Sequence, residues 1–234
     1  MALYEIAGLK VNMPNISGRT LAQAKAYLSK DQTQNADFTV DVSREKILKA
    51  VKEHPELDEN DWEYMLTGND FYRKLIAFDG IVLHSSCISV DEKAFAFSAG
   101  SGVGKTTHTK MWLENLKDRA HIINDDKPAI RIIDGKAYAC GTPWSGQTDC
   151  STAEIVPLEA ICFLERSNEN YIKTADTQKA IFGIFSQTVK KLDEENMDML
   201  FDIIERIFKS VRLYELGCDD SENAFITSYN ELMK

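Results

Sequence analysis

The stretch AFAFSAGSGVGKTTHTKMW, residues 94 to 112, decides the fold, because it runs from apolar strand through glycines into helix. Ala94 to Phe97 read as a strand, Gly100, Gly102 and Gly104 as a bend, and the residues from Lys105 onward as a helix. Such a turn can cradle phosphate: successive backbone N–H groups line one concavity, a lysine reaches the outer phosphates and a hydroxyl serves magnesium. The candidate nucleotide-binding residues are Gly100, Ser101, Gly102, Val103, Gly104, Lys105, Thr106 and Thr107, with Thr106 also a metal ligand. The positive end of the helix adds to the attraction. The spacing GxxxxGK[S/T] holds except at its first position, where Ala99 stands for glycine and would resist a positive φ. A glycine-rich turn with a solvent-facing lysine is the plainer alternative; the coincidence of strand, helix and the GKT ending argues against it.

A nucleotide held with magnesium calls for a carboxylate at the end of a neighbouring strand. HIINDDKPAIR, starting at His121, supplies two, Asp125 and Asp126, twenty positions after Lys105. Adjacent side chains point to opposite sides of an extended chain, so Asp125 can serve the metal while Asp126 faces an acceptor hydroxyl as a base. An ordinary Asp-Asp-Lys-Pro turn is the competing reading.

Around this centre, GIVLHSSCISV and KAFAF read as a hairpin turning at Asp91 and Glu92, and HIIND as a further strand. PAIRII passes through Asp134-Gly135 into KAYACG, and AICFLER is another strand. Upstream, LYEIAGLKVNM and DFTVDV read as strands, SREKILKAVKEH as a helix capped by Ser43, and HPELDENDWEY as a polar stretch. Downstream, Ile181, Phe185, Val189 and Leu192 form one helical stripe and Met197, Leu200, Ile204 and Ile207 a second. VRLYEL is a late strand ended by Gly217, before a helix capped by Ser221. The fold class is therefore α/β with a mixed, partly antiparallel sheet flanked by helices. Residues 1–78 are assigned to an N-terminal accessory region packed on the core, and 79–234 to a P-loop kinase-like domain.

The 234 residues carry a formal net charge of -10, which opposes binding to nucleic acid or to anionic membrane. Five scattered cysteines suggest neither a zinc site nor a disulfide framework, and with no apolar run long enough to span a membrane they point to the cytoplasm. The C-terminal stripes read as core first and as a homo-oligomer interface second.

LHSSCISVDEKAFAFSAGSGVGKTT, followed by INDDK, resembles the kinase core of HPr kinase/phosphorylase, whose fold is shared with the nucleotide-binding part of phosphoenolpyruvate carboxykinase. The resemblance covers residues 79 to 165 and extends toward VRLYELGCDDSENAF near the end. It implies that His84 lies close to the transferred phosphate, that Lys105 and Thr106 hold ATP and magnesium, that Asp125 binds the metal, and that Asp126 is the base. The signature tied to the family's phosphorylase reaction is missing; its region holds GTPWSGQTD, which lines the acceptor site or covers the core with Trp144. The expected function is ATP-dependent transfer of a γ-phosphoryl group to a hydroxyl of a protein, peptide or small molecule. The alternative is a nucleotide-binding regulator without transfer. A full carboxykinase would need a longer chain, and NDDKPA lacks the NKxD pattern of a GTPase.

Overall fold

The computed structural model describes residues 2–188, 192–219 and 221–234. Strands β1 (Leu3–Ile6) and β2 (Leu9–Asn12) open the chain, followed by α1 (Gly18–Ala24), β3 (Phe38–Thr39), α2 (Arg44–Glu53) and α3 (Glu59–Leu75). Next come β4 (Gly80–Val82), β5 (Ser85–Val90), β6 (Lys93–Ser98), α4 (Lys105–Leu116), β7 (Ala120–Asn124), β8 (Ala129–Ile133), β9 (Lys136–Cys140) and β10 (Ile155–Arg166). The chain closes with β11 (Tyr171–Thr174), α5 (Thr177–Gln187), α6 (Glu194–Ser210), β12 (Arg212–Cys218) and α7 (Glu222–Leu232).

Two-residue turns set the registers. Asp91 and Glu92 both take left-handed backbone, with φ of 48° and 64°, and fold β5 back on β6 so that Ser85 faces Ser98. Asp134 and Gly135, at 49° and 77°, do the same for β8 and β9. Two consecutive positive φ values match the right-handed twist of the flanking strands. The resulting mixed sheet runs β4-β8-β9-β10-β6-β5-β7, with β12 parallel to β10 and β11 paired to β12. β10 joins its two parts: Ile155 to Pro157 pair antiparallel with β9, and the residues beyond pair parallel with β6.

Alternation along β6 feeds two cores. Ala94 and Ala96 face a cluster closed by Leu200, Ile203, Ile204 and Ile207 of α6. Phe95 and Phe97 face the opposite cluster, with Trp112 of α4 and Phe225 of α7. Helices therefore cover both faces. The two phenylalanines and Trp112 are buried to within 1% exposure, and each contributes roughly 2–3 kcal/mol by leaving water. Both cores flank the strand that delivers the glycine loop, which fixes that loop's base.

A third cluster ties the N-terminal elements to the sheet: Tyr4, Ile6, Val11, Phe71 and Leu75 pack with Val82, Ala129, Cys140 and Trp144.

The structure corrects several sequence expectations. HPELDENDWEY is not merely polar; Asp58 caps α3, its side chain accepting from the Asp61 N–H, and the buried Tyr64, Phe71 and Leu75 lie further along that helix. LYEIAGLKVNM is a hairpin with left-handed Ala7 and Gly8 at its turn. The DFTVDV strand shrinks to two residues. The GIVLHSSCISV strand breaks at Leu83 and His84. Gly217 does not end β12 but lies within it, because a Cβ there would meet the Tyr171 ring at 2.3 Å. On α5 the buried residues are Ala180 and Ile184, Ile181 is exposed, and Val189 lies outside the described residues. Ser43 and the α6 stripe stand as read, with Met197 only half-buried. Ser221 occupies the N-cap of α7, but its hydroxyl bonds Asp219 rather than the helix. No helix among the described residues is long and apolar enough to cross a membrane.

Candidate functional site

The glycine loop leaves the end of β6 and enters α4 at Lys105. Gly102 and Gly104 take φ of 75° and 121°, whereas Gly100 and Ala99 do not have positive φ, so alanine at the motif's first position is unstrained. Gly104 is the N-cap of α4 and supplies no capping side chain, so the first N–H groups of the helix have no partner from it. The Lys105 ammonium folds into the loop and donates to the carbonyls of Ala99 and Gly100 at 3.0 and 3.2 Å. Burial lowers its pKa, Asp126 opposes that shift, Lys127 adds to it and Asp125 opposes it.

Asp125 and Asp126 follow β7, and they do diverge. The Asp125 carboxylate is buried and accepts from Thr106 Oγ1 at 3.1 and 3.2 Å and from Ser86 Oγ at 2.5 Å. Ser86 in turn meets Thr109 Oγ1 at 2.9 Å. Asp126 faces His84 Nε2 at 3.2 Å and Lys127 Nζ at 3.5 Å. Burial raises the Asp126 pKa, but the His84 hydrogen bond and the Lys127 charge outweigh it and hold the carboxyl below its ordinary value. The His84 ring is held from behind by Gln187, whose Oε1 lies 3.0 Å from Nδ1. The pair is aimed by Asn124, whose Oδ1 accepts from the N–H groups of Asp126 and Lys127 while its amide is tied to Thr142.

The loop, His84 and the two aspartates line one cleft of about 500 Å³. Of the sequence-predicted residues, His84, Ser101, Gly102, Gly104, Lys105, Thr106, Thr107, Asp125 and Asp126 reach it. Gly100 and Val103 do not: the Gly100 carbonyl turns to Lys105, and the Val103 side chain packs into the core behind α4. GTPWSGQTD divides its work. Trp144 is buried and stacks on Phe71, while Ser145 to Thr148 form the opposite wall of the cleft. Gly146, with φ of 71°, must be glycine, because a Cβ would come within 2.8 Å of Asp126 Cβ. Both sides of its backbone are clamped from the N-terminal elements: its N–H donates to Tyr64 Oη at 3.0 Å and its carbonyl accepts from Arg19.

Sequence reasoning missed Ser86, Asn124 and Arg166, and offered Gly146 only within the GTPWSGQTD stretch. Arg166, at the end of β10, spans the outside of the loop through the carbonyls of Gly102 and Val103 at 2.9 and 3.3 Å. Ser86 had a signal, since it lies two residues beyond His84, where strand alternation returns to the same side. Arg166 had none.

The donor set suits a hard cation. Thr106 and Asp125 offer a hydroxyl and a carboxylate side by side, and among the described residues no group of three or more His, Cys, Asp or Glu is placed to hold a metal. Magnesium bound by one carboxylate and a hydroxyl, with phosphates and waters completing its shell, has this sparse protein contribution.

No protein-family model matches the chain, and no curated protein matches it. Among solved structures it is similar to the Hpr(Ser) kinase/phosphatase from Coxiella burnetii, with a TM-score of 0.39 and 6% identity over 65% of this chain and 93% of that one.

Proposed function

We propose that the protein transfers the γ-phosphoryl group of ATP to an acceptor hydroxyl. The observation that carries this reading is the division of labour between the two aspartates. Asp125 is committed to Thr106, the hydroxyl that opens α4, whereas Asp126 faces into the cleft beside His84. A protein that only held a nucleotide would need the first carboxylate and not the second.

ATP bound at the loop, with Mg2+ held by Thr106 and Asp125, would supply the phosphoryl group and neutralise part of its charge. The chain's own groups do the rest. Lys105 and the N–H groups at the start of α4 stabilise negative charge as it moves to the leaving phosphate. Asp126, ionised beside His84 and Lys127, accepts the acceptor's proton as that oxygen takes the phosphoryl group and ADP departs. His84, braced by Gln187, orients the Asp126 carboxylate.

The test is incubation with γ-labelled ATP, magnesium and a soluble metabolite and protein extract, followed by identification of the labelled acceptor. Transfer by the wild type should fall about 10²–10⁴-fold in Asp126→Asn, with ATP affinity changed by no more than a few-fold. Labelling of no acceptor, despite tight ATP binding, would favour a regulator that reads nucleotide without transfer.

A further inference from the structure

A second cavity, of about 380 Å³, lies against the first and shares His84 with it. Its walls come from α3 (Asn69, Tyr72), β4 (Val82) and the end of α5 (Ser186, Gln187), with Lys127 at its inner side. Several of its polar groups are engaged with one another or with backbone. Ser186 Oγ donates to the Gly183 carbonyl, and Gln187 holds His84. Thr188 Oγ1 is buried with no hydrogen-bond partner among the described residues, and the Lys127 ammonium, on a side chain 27% exposed, reaches the Asp126 carboxylate at a long 3.5 Å. An ammonium has three protons to place, and a single carboxylate at 3.5 Å leaves donors for a second anion. A cavity that brings together a cation with donors to spare and an unpartnered hydroxyl favours an anion locally, against the chain's net charge of -10.

We infer that this cavity is the acceptor subsite for a small hydroxy acid, with the acceptor's carboxylate on Lys127 and Thr188 and its hydroxyl directed toward Asp126. The assignment rests on the phosphotransfer reading and deepens it by naming the acceptor's class. Size agrees: the cavity has the volume of about a dozen waters, enough for a three- to six-carbon acid. Position agrees as well, since Lys127 adjoins Asp126 in sequence and contacts it, so an acid seated on the lysine lies next to the base.

Calorimetric titration with D-glycerate, L-serine and glycerol, each with the magnesium–nucleotide complex present, tests the assignment. The two acids should bind at least tenfold more tightly than glycerol. Lys127→Met should remove that preference, Lys127→Arg should retain most of it, and Thr188→Val should weaken both acids several-fold while leaving glycerol unchanged. Equal binding of acids and glycerol by the wild type overturns the proposal, as does an acid preference that survives intact in a folded Lys127→Met. Fluorescent-ATP titration of the same samples keeps the two readings separate: failure there sinks the phosphotransfer reading, whereas ATP binding without acid preference sinks only the acceptor assignment.

Discussion

On one side of α4, His108 and Trp112 join Ser228 and Cys218 in a set of polar contacts closed within an apolar core; on the other, Lys105, Thr106 and the two aspartates face a cleft. Both sides bury titratable groups, and they satisfy them differently. Trp112 Nε1 can only donate, and its one N–H is shared between His108 Nε2 at 3.2 Å and Ser228 Oγ at 3.1 Å, while His108 Nδ1 lies against Cys218, so the imidazole meets only neutral partners. Burial pushes the His108 pKa down to about 4. Across the helix, burial is answered with opposite charge, and Asp126 stays ionised between His84 and Lys127. A buried group with neutral partners is committed to one protonation state and contributes to stability. A buried group balanced by charge can exchange a proton, and contributes to chemistry.

The largest test of that contrast is Lys105→Ala. Removing the cation at the start of α4 should lower kcat/KM for transfer by 10³-fold or more, about 4 kcal/mol of transition-state stabilisation. The melting temperature should move little, because the ammonium's hydrogen bonds are to carbonyls of its own loop. Loss of folding with Lys105→Ala, or retention of transfer, would erase the distinction between the two sides of the helix.

His108 sharpens it from the core side. Its unfolded pKa is near 6.5 and its folded value about 4, so between these the unfolded chain binds the extra proton and stability falls as pH is lowered. The contribution is complete above about pH 6.5 and exhausted near pH 4, amounting to roughly 3 kcal/mol. Urea titrations of wild type and His108→Gln at pH 7.5 and 4.5 isolate this term from the carboxylates that titrate in the same range. The wild type should lose about 2.5 kcal/mol more than the variant; parallel losses would show that the ring is not held neutral.

The fold class was legible in the sequence, and so was which candidate residues would lie together, for a physical reason. Gly102, Lys105 and Thr106 owe their positions to neighbours a few residues away, and Asp125 and Asp126 to one strand, so local spacing carries the information. Alternation of AFAF predicted a strand, and the structure fills its two faces differently. The start of β10 was hidden by Pro157, which pairs opposite Tyr138 where a proline is usually excluded, and α3 by an acidic first turn that reads as loop until its cap is recognised. Gly217 was read as a terminator, although its lack of a side chain serves the Tyr171 ring packed against it. Nothing local could link Arg19 to Gly146 across 127 positions.

That link gives the smallest effect and the one most specific to the cleft's outer wall. Arg19 stands 4.0 Å over the Tyr64 ring and donates to the Gly146 carbonyl, while Tyr64 Oη accepts from the Gly146 N–H. Burial pushes the Tyr64 phenol up to about 12, so it remains neutral in this role at any working pH. Arg19→Ala removes the cation–π contact and one hydrogen bond, about 1 kcal/mol of stability. Tyr64→Phe keeps the ring and deletes only the acceptor. Because the clamp holds the wall opposite the loop, both variants should raise the KM for the acceptor several-fold and leave that for ATP unchanged. In a double-mutant cycle the two should couple, since they grip the same residue. Strict additivity, or an equal rise in both KM values, would mean that the N-terminal elements merely support the fold and do not set the geometry against which Asp126 works.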